Sequence, residues 1–176
     1  MKGLLKLIVP NFHERIVEDE VKRKGNVIYG ARAMNKQLPV KALGRSIYAR
    51  PTRDYDIYSM KPRAHAMSLE RKLDNTIGHD GYYTKSGKHK GTHKVIDKGL
   101  DNRKGTPDDK GIADFTRPAR KVSTVTIGGL KYASLSERVK DIRASLKRPE
   151  DTFRHEKDKA DLWRIRTARN HGRIYG

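Results

Sequence analysis

Cysteine is absent from this chain of 176 residues. Its absence excludes disulfide bonds, zinc sites with thiolate ligands and a cysteine nucleophile. Long apolar runs are also missing, because no stretch approaches the roughly 20 residues that a membrane-spanning helix requires. The opening MKGLLKLIVP is too short for a secretory signal and lacks the small-residue cleavage site. We therefore expect a soluble, intracellular protein without a membrane partner, located in the cytoplasm or within a nucleoprotein particle.

Acidic residues are scarce relative to basic ones. The 21 Asp and Glu stand against 40 Lys and Arg, which leaves a formal charge of +19. Such an excess repels itself in a compact fold, so it is best explained by a polyanionic partner. Nucleic acid, above all RNA, is the first candidate, and nucleotide phosphates are the second. A protein partner, such as an antitoxin or a larger assembly, stays open.

Hydrophobic periodicity predicts an α+β fold, in which a mixed β-sheet is flanked by helices and followed by a helical C-terminus. Asn11 is placed to cap the first helix, which ends at Gly25. Glycine and proline separate the elements that follow. In chain order these are the strand NVIYG, the helix ARAMNKQL, the strand DYDIYS, the helix PRAHAMSLERKLDNTI, the strands GYYTKS, THKVID, IADFT, KVSTVTI and LKYAS, and helices over 135–146 and 152–168.

Three segments follow from this pattern: an N-terminal helix at 1–25, a core at 26–130 and a C-terminal helical segment at 131–176. The last helix is expected to bury its large apolar side chains, Phe153 and Trp163, because such residues are usually found inside a fold.

The stretch RPTRDYDIYS, residues 50–59, places two aspartates one residue apart. Side chains at i and i+2 of a strand share a face, so Asp54 and Asp56 project together while Tyr55 and Ile57 point into the core. Two neighbouring carboxylates repel each other unless a cation lies between them. Taken alone, the pair is more typical of the polar face of an edge strand than of a metal site.

A third aspartate, Asp114, lies on the separate predicted strand IADFT. If that strand lies beside the strand of Asp54 and Asp56, three carboxylates converge. Three carboxylates are enough to hold two Mg²⁺ ions roughly 3.5–4 Å apart for an in-line phosphoryl transfer. Hard oxygen ligands also suit Mg²⁺.

A glycine lies at the turn between the strand NVIY and the helix that follows it. The backbone N–H groups at Gly30 and Ala31 are free of helical partners there, and the positive end of the helix dipole faces the same point. This arrangement suits a phosphate group.

The order of YGARAMN, DYD and IADFT resembles the nucleotidyltransferase superfamily that shares the DNA polymerase β catalytic fold. The stretches YGARAMNKQLP and RPTRDYDIYS look closest to the small AbiEii-like nucleotidyltransferases. The C-terminal FRHEKDKADLWRI resembles a helix of the same group, with Lys157, Asp158 and Asp161 in the matching places. The resemblance extends over most of the chain between residues 26 and 168, so that 26–130 would be the catalytic core.

The resemblance implies a role for each motif. Gly30 and Ala31 would contact the NTP substrate, Asp54 and Asp56 would bind two Mg²⁺ ions, and Asp114 would complete the metal site and activate the acceptor hydroxyl. Ala31 departs from the second Gly or Ser of the family pattern, which removes a serine hydroxyl but keeps the backbone N–H.

Basic side chains complete the expected nucleotide site, which includes Arg32, Arg50, Arg53 and Lys157. Arginines are suited to clamp phosphate, or to neutralise the acids when metal is absent. The loop between 41 and 53 is longer than in the minimal family pattern.

A second basic stretch, KSGKHKGTHK, forms a turn between two predicted strands. Its two histidines, His89 and His93, are four apart, but the glycine between them favours a solvated loop over a metal site. Its lysines are suited to contact a phosphate backbone. They are Lys85, Lys88, Lys90 and Lys94.

Two functions stay open at this point. One is a Mg²⁺-dependent enzyme that transfers a nucleoside monophosphate from an NTP to a hydroxyl of RNA, tRNA or a protein. The other is a catalytically degenerate relative that binds nucleic acid, or is a structural part of a nucleoprotein particle, through the same fold and its basic surface.

Overall fold

The computed structural model describes residues 12–39, 41–42 and 45–175. The predicted helix cap Asn11 lies outside them. The described residues form five α-helices, one 3₁₀-helix and nine strands. In chain order these are α1 (Phe12–Lys24), β1 (Val27–Tyr29), α2 (Gly30–Gln37), β2 (Lys41–Ala42), β3 (Arg45–Ser46), β4 (Tyr55–Tyr58), α3 (Pro62–Ile77), β5 (Tyr82–Ser86), β6 (Thr92–Asp97), β7 (Lys110–Thr116), β8 (Thr124–Ile127), β9 (Leu130–Ala133), α4 (Leu135–Ser145), the 3₁₀-helix (Pro149–Arg154) and α5 (His155–Tyr175).

Seven of the strands form one mixed sheet in the order β5-β6-β7-β4-β1-β9-β8. Strand β4 pairs in parallel with β7 on one side and antiparallel with β1 on the other. The α+β prediction is therefore confirmed. The aspartate-bearing strand lies in the middle of the sheet, so the interpretation of Asp54 and Asp56 as decoration of an edge strand is wrong.

One face of the sheet carries the main hydrophobic core. Tyr55 and Ile57 are 2% and 0% exposed, as the alternation of β4 predicts. Their partners in register on β7, Ala113 and Phe115, are fully buried. Helices α1 and α3 cover this face; buried positions of α3 are Ala66, Leu69, Leu73 and Ile77. The opposite face is thereby left to the polar residues of the same strands.

Helix α3 matches the predicted boundaries. Pro62 opens it, where a missing backbone N–H is tolerated, and Gly78 closes it with a φ of 78°. No helix among the described residues is long and apolar enough to cross a bilayer.

The C-terminal helices build a second, smaller core against α2. Its buried members come from α2, from the residue after it, and from α4 and α5. They are Met34, Leu38, Ile142, Ile165 and Ala168. Strand β9 pairs in parallel with β1 within the main sheet. The division at 25 and 130 stays a prediction.

The expected burial of Phe153 and Trp163 is wrong, because their side chains are 79% and 61% exposed. The chain from Pro149 to Arg154 is a 3₁₀-helix, and α5 begins only at His155. The face of α5 that packs inward carries Asp158, Asp161, Ile165 and Ala168. Two carboxylates are thus buried on a helix whose Trp163 ring is exposed.

Candidate active site

A transverse row of five side chains crosses the open face of the sheet. Directly paired residues on adjacent strands point to the same face. The pairs join Lys85 to Lys94, Lys94 to Asp114, Asp114 to Asp56, and Asp56 to Tyr29. The predicted meeting of the IADFT and DYDIYS strands is therefore observed, with two aspartates as immediate neighbours.

Asp54 lies one residue before β4, at a bend. The Arg32 guanidinium holds this bend: its Nε donates to the Asp54 carbonyl oxygen at 3.0 Å and its Nη2 to the Arg53 carbonyl oxygen at 3.1 Å. The same guanidinium stacks 3.7 Å from the centre of the Tyr55 ring. Arg32 thus fixes the approach of the chain to the carboxylates.

Asp56 is the electrostatic centre of the site. Burial, together with the negative charges of Asp54 and Asp114, raises its pKa to about 6. Lys157 and Arg138 act in the opposite direction. A half-buried carboxylate with two acidic neighbours is strained when ionised, and a bound cation would relieve that strain.

Gly30 makes the close approach of α2 to Asp56 possible. Its φ is +67°, a left-handed conformation that L side chains rarely adopt, and a Cβ there would overlap the Asp56 carboxylate. Tyr29, which precedes α2, makes no side-chain cap bond to the first turn. Ala31 is buried. The glycine therefore places the start of the helix directly beside the aspartates.

The predicted nucleotide-binding arginines take different places. Arg32 pairs with Glu14 at 2.9 Å, in addition to its bonds at the bend. Arg50 pairs with the buried carboxylate of Asp161 at 3.1 Å, and burial lowers its pKa. Arg53 is exposed. Both Arg32 and Arg50 thus hold neighbouring parts of the chain, and a nucleotide contact by either stays a prediction.

Lys157 is exposed at the start of α5, and its positive charge lowers the pKa of Asp56.

The same helix carries Asp158 and Asp161, both 0% exposed. Four arginines surround these two carboxylates. The ion pairs are Arg138 with Asp161 at 2.6 Å, Arg138 with Asp158 at 3.3 Å, Arg154 with Asp158 at 3.4 Å, Arg164 with Asp161 at 3.4 Å and the Arg50 pair given above.

Sequence reasoning missed the partner of Asp114. The Lys94 Nζ lies 2.6 Å from Asp114 Oδ2 in a half-buried ion pair. Lys94 belongs to the basic turn segment, and nothing in its spacing from Asp114 signals the contact. Only the register between β6 and β7 brings the two side chains together.

Asp54, Asp56 and Asp114 do not converge closely enough to coordinate one ion together. In the part of the chain that the structure describes, no group of three His, Asp or Glu side chains is close enough to hold a metal. The donor chemistry nonetheless fits Mg²⁺, because three carboxylates from adjacent positions supply hard oxygens and repel one another without a cation. The interpretation of His89 and His93 as part of a solvated turn stays a prediction.

A mixed sheet that carries aspartates on two neighbouring strands beside a glycine turn has the arrangement expected from the resemblance to nucleotidyltransferases. The family model of the poly(A) polymerase catalytic subunit matches residues 15–101, just under half of the chain. This match includes Gly30, Asp54 and Asp56 and ends before Asp114. The fold of the chain is nucleotidyltransferase-like.

One solved structure supports the fold. The crystal structure of the Megavirus polyadenylate synthase aligns with a TM-score of 0.69 over 91% of this chain, at 20% identity. This chain spans 31% of the length of that protein. The structure of JHP933 from Helicobacter pylori aligns with a TM-score of 0.46 and 11% identity, over 74% of this chain and 53% of that one, and adds no evidence on function. No curated protein matches significantly. The likeness to the AbiEii-like group stays a prediction.

Proposed function

We propose that the chain transfers a nucleoside monophosphate from an NTP to a terminal hydroxyl of RNA. The observation that supports this proposal best is the direct pairing of Asp56 with Asp114 on parallel neighbouring strands, with Asp54 two residues away. A structural role for the sheet does not require three acids on one open face.

Asp54, Asp56 and Asp114 would hold two Mg²⁺ ions, which when bound neutralise charge on the reacting phosphate and lower the pKa of the attacking hydroxyl. The acceptor oxygen forms a bond to the α-phosphorus, the bond from that phosphorus to the bridging oxygen breaks, and pyrophosphate leaves with the electron pair. Asp114 positions the acceptor hydroxyl and takes up its proton.

The nucleotide would lie against the start of α2. The N–H groups of Gly30 and Ala31 face the triphosphate, while exposed Arg53 and Lys157 approach it from two sides. Arg32 and Arg50, committed to the bend and to Asp161, contribute by holding this frame in place.

ATP and an RNA 3′ hydroxyl are the first substrates to test. The matching family is described as a poly(A) polymerase catalytic subunit, and the similar Megavirus protein is named a polyadenylate synthase. The formal charge of +19 suits an RNA acceptor. Because the chain spans only 31% of the length of the Megavirus protein, the proposal concerns the nucleotidyl-transfer step and not the other properties of that protein.

The experiment supplies each labelled NTP with Mg²⁺ and a single-stranded RNA oligonucleotide, and the extended product is weighed by mass spectrometry. We expect extension by whole nucleotides, and a loss of at least a hundredfold in Asp56→Asn, in line with removal of a group that acts on the transition state. Asp19→Asn, on the exposed side of α1, is the charge-matched control. No extension with any NTP, or equal extension by Asp56→Asn, would refute the proposal.

A second candidate, a degenerate relative that binds nucleic acid without turnover, is favoured by one contact. Lys94 occupies an oxygen of Asp114 that a metal would need. This candidate predicts salt-sensitive RNA binding that survives the triple change of Asp54, Asp56 and Asp114 to Asn, together with no nucleotide transfer by the wild type.

A further inference from the structure

We propose that the tip of the β5–β6 hairpin and Phe153 form the binding surface for the RNA acceptor, upstream of its 3′ end. This inference rests on the proposed function, and it names the part of the surface that recognises a single strand. Phe153 provides a ring for base stacking, and Lys85, Lys88 and Lys90 provide charge for the phosphates.

The hairpin lysines continue the row that crosses the active site. Lys85 pairs with Lys94, which in turn pairs with Asp114. Since adjacent strands lie about 4.8 Å apart, Lys85 is about 10 Å from Asp114 along the sheet. A strand whose 3′ end reaches Asp114 would therefore pass this hairpin within two or three nucleotides.

The charges on the hairpin tip are available. Lys94 is committed to Asp114, but no ion pair within the described ranges engages Lys85, Lys88 or Lys90. All three of these side chains are exposed. A phosphate backbone that lies along the tip would be their first counter-ion.

Phe153 comes from a different part of the chain and meets the same tip. Its ring is 79% exposed, and Lys88 Nζ lies 6.0 Å from the ring centroid. An aromatic face beside a cation can stack on a base while the cation contacts the neighbouring phosphate, which is how sequence-tolerant single-strand surfaces are built. A duplex, whose bases are already stacked, cannot use the ring in this way.

The segment that presents Phe153 also leads to the catalytic acids. Four residues further on, Lys157 lies close enough to lower the pKa of Asp56. Phe153 is thus connected to the active site through the 3₁₀-helix and the start of α5. The hairpin lysines are connected to it through β6.

Protection of a sheet edge explains only part of this surface. Lysine on the edge strand β5 discourages pairing with another sheet, which accounts for Lys85. It does not account for Lys88 and Lys90, which lie in the turn, nor for an exposed phenylalanine, which would promote association. A protein partner would be expected to bury a larger apolar patch than one ring.

Fluorescence anisotropy with a labelled 15-nucleotide single-stranded RNA, without Mg²⁺ or NTP, tests the surface. We expect Phe153→Ala to weaken binding roughly tenfold with an unchanged salt dependence, because a stacking contact is lost. Phe153→Trp should bind as the wild type does. The double change Lys88→Gln and Lys90→Gln should weaken binding and reduce the salt slope by about 0.7 for each lysine.

Two exposed residues elsewhere are the matched controls. Trp163→Ala removes an aromatic ring from α5, and Arg71→Gln removes a charge from α3, which covers the opposite face of the sheet. Neither should change affinity more than twofold. Circular dichroism of each variant confirms that it is folded, as expected for exposed positions.

The outcomes separate this inference from the proposed function. Wild-type affinity in Phe153→Ala, equal damage by the two controls, or equally tight binding of a 15-base-pair RNA duplex would each overturn the binding surface, even if nucleotide transfer is observed. If transfer fails with every NTP but the hairpin and Phe153 variants lose RNA binding as expected, the surface stands and the proposed catalysis does not.

Discussion

The ammonium group of Lys94 lies 2.6 Å from the carboxylate of Asp114, on the neighbouring strand. The lysine neutralises the third acid of the site in the metal-free protein. A divalent cation that binds Asp114 must therefore compete with a charge that the fold itself supplies. Replacing Lys94, and separately its cross-strand neighbour Lys85, distinguishes competition at Asp114 from a general loss of positive charge.

Lys94→Met should increase the affinity for Mn²⁺, measured by electron paramagnetic resonance, about fivefold, since a half-buried ion pair contributes roughly 1 kcal/mol. Lys85→Met removes the cross-strand neighbour of Lys94, which does not contact Asp114, and should change the affinity less than twofold. Equal affinities in the wild type and Lys94→Met would show that the lysine does not compete with the metal.

Gly30→Ala should damage both stability and the site. The matched change is Gly25→Ala, whose φ is +64° and whose Cβ would meet nothing within 4 Å. Gly25→Ala measures backbone strain alone, about 1–2 kcal/mol. Gly30→Ala adds an overlap with Asp56, so its free energy of unfolding should fall further and Mn²⁺ binding should be lost. Equal unfolding midpoints and intact metal binding in both variants would contradict this placement of Gly30.

The stability of the metal-free protein should fall as the pH rises through the titration of Asp56. The fold raises the pKa of Asp56 from 3.8 to about 6, so the folded state binds this proton more tightly than the unfolded chain does. The cost of ionisation is absent below pH 3.8, grows up to pH 6 and is complete above it. It amounts to about 2–3 kcal/mol.

Asp56→Asn removes this cost. Its melting temperature should exceed that of the wild type by roughly 5 °C at pH 8, and the gain should shrink towards pH 4.5. Asp19→Asn should show no such pH-dependent gain. A wild type that is as stable as Asp56→Asn at pH 8 without metal would contradict the cost of ionising Asp56 in its buried position beside Asp54 and Asp114.

Asp161→Asn should destabilise the protein strongly. The buried carboxylate is the partner of Arg50, Arg138 and Arg164. Its neutralisation removes the counter-charge of Arg50 and Arg164 and leaves Arg138 paired with Asp158 alone. We expect a loss of about 3–5 kcal/mol in the free energy of unfolding, measured with urea. A loss below 1 kcal/mol, comparable with that of Asp19→Asn, would show that the arginine cluster does not hold α5 in place.

Much of the fold is predictable from local patterns. The period-two alternation in DYDIYS correctly buries Tyr55 and Ile57, and proline and glycine mark both ends of α3. The sequence predicts the pairing of Asp56 with Asp114 only on the condition that their strands are neighbours, which local patterns do not show. The order of the motifs, through the resemblance, favours that pairing.

Other features depend on tertiary contacts that a local pattern does not contain. The apolar character of Phe153 and Trp163 predicts their burial. Asp158 and Asp161 are buried instead, because arginines from four places in the chain pair with them. The contacts of Arg32 with Asp54 and of Lys94 with Asp114 cannot be predicted from local sequence either, because the partners are 22 and 20 residues apart.

The central claim is that Asp54, Asp56 and Asp114 form one metal site. Cleavage of the backbone by hydroxyl radicals from Fe²⁺ substituted for Mg²⁺ maps bound metal directly. We predict cuts near residues 54–56 and near 112–116 in the same molecule, which excess Mg²⁺ suppresses and which the triple change to Asn abolishes. Cuts confined to another segment, such as 89–93 or 101–109, or unchanged cuts in the triple variant, would contradict the account.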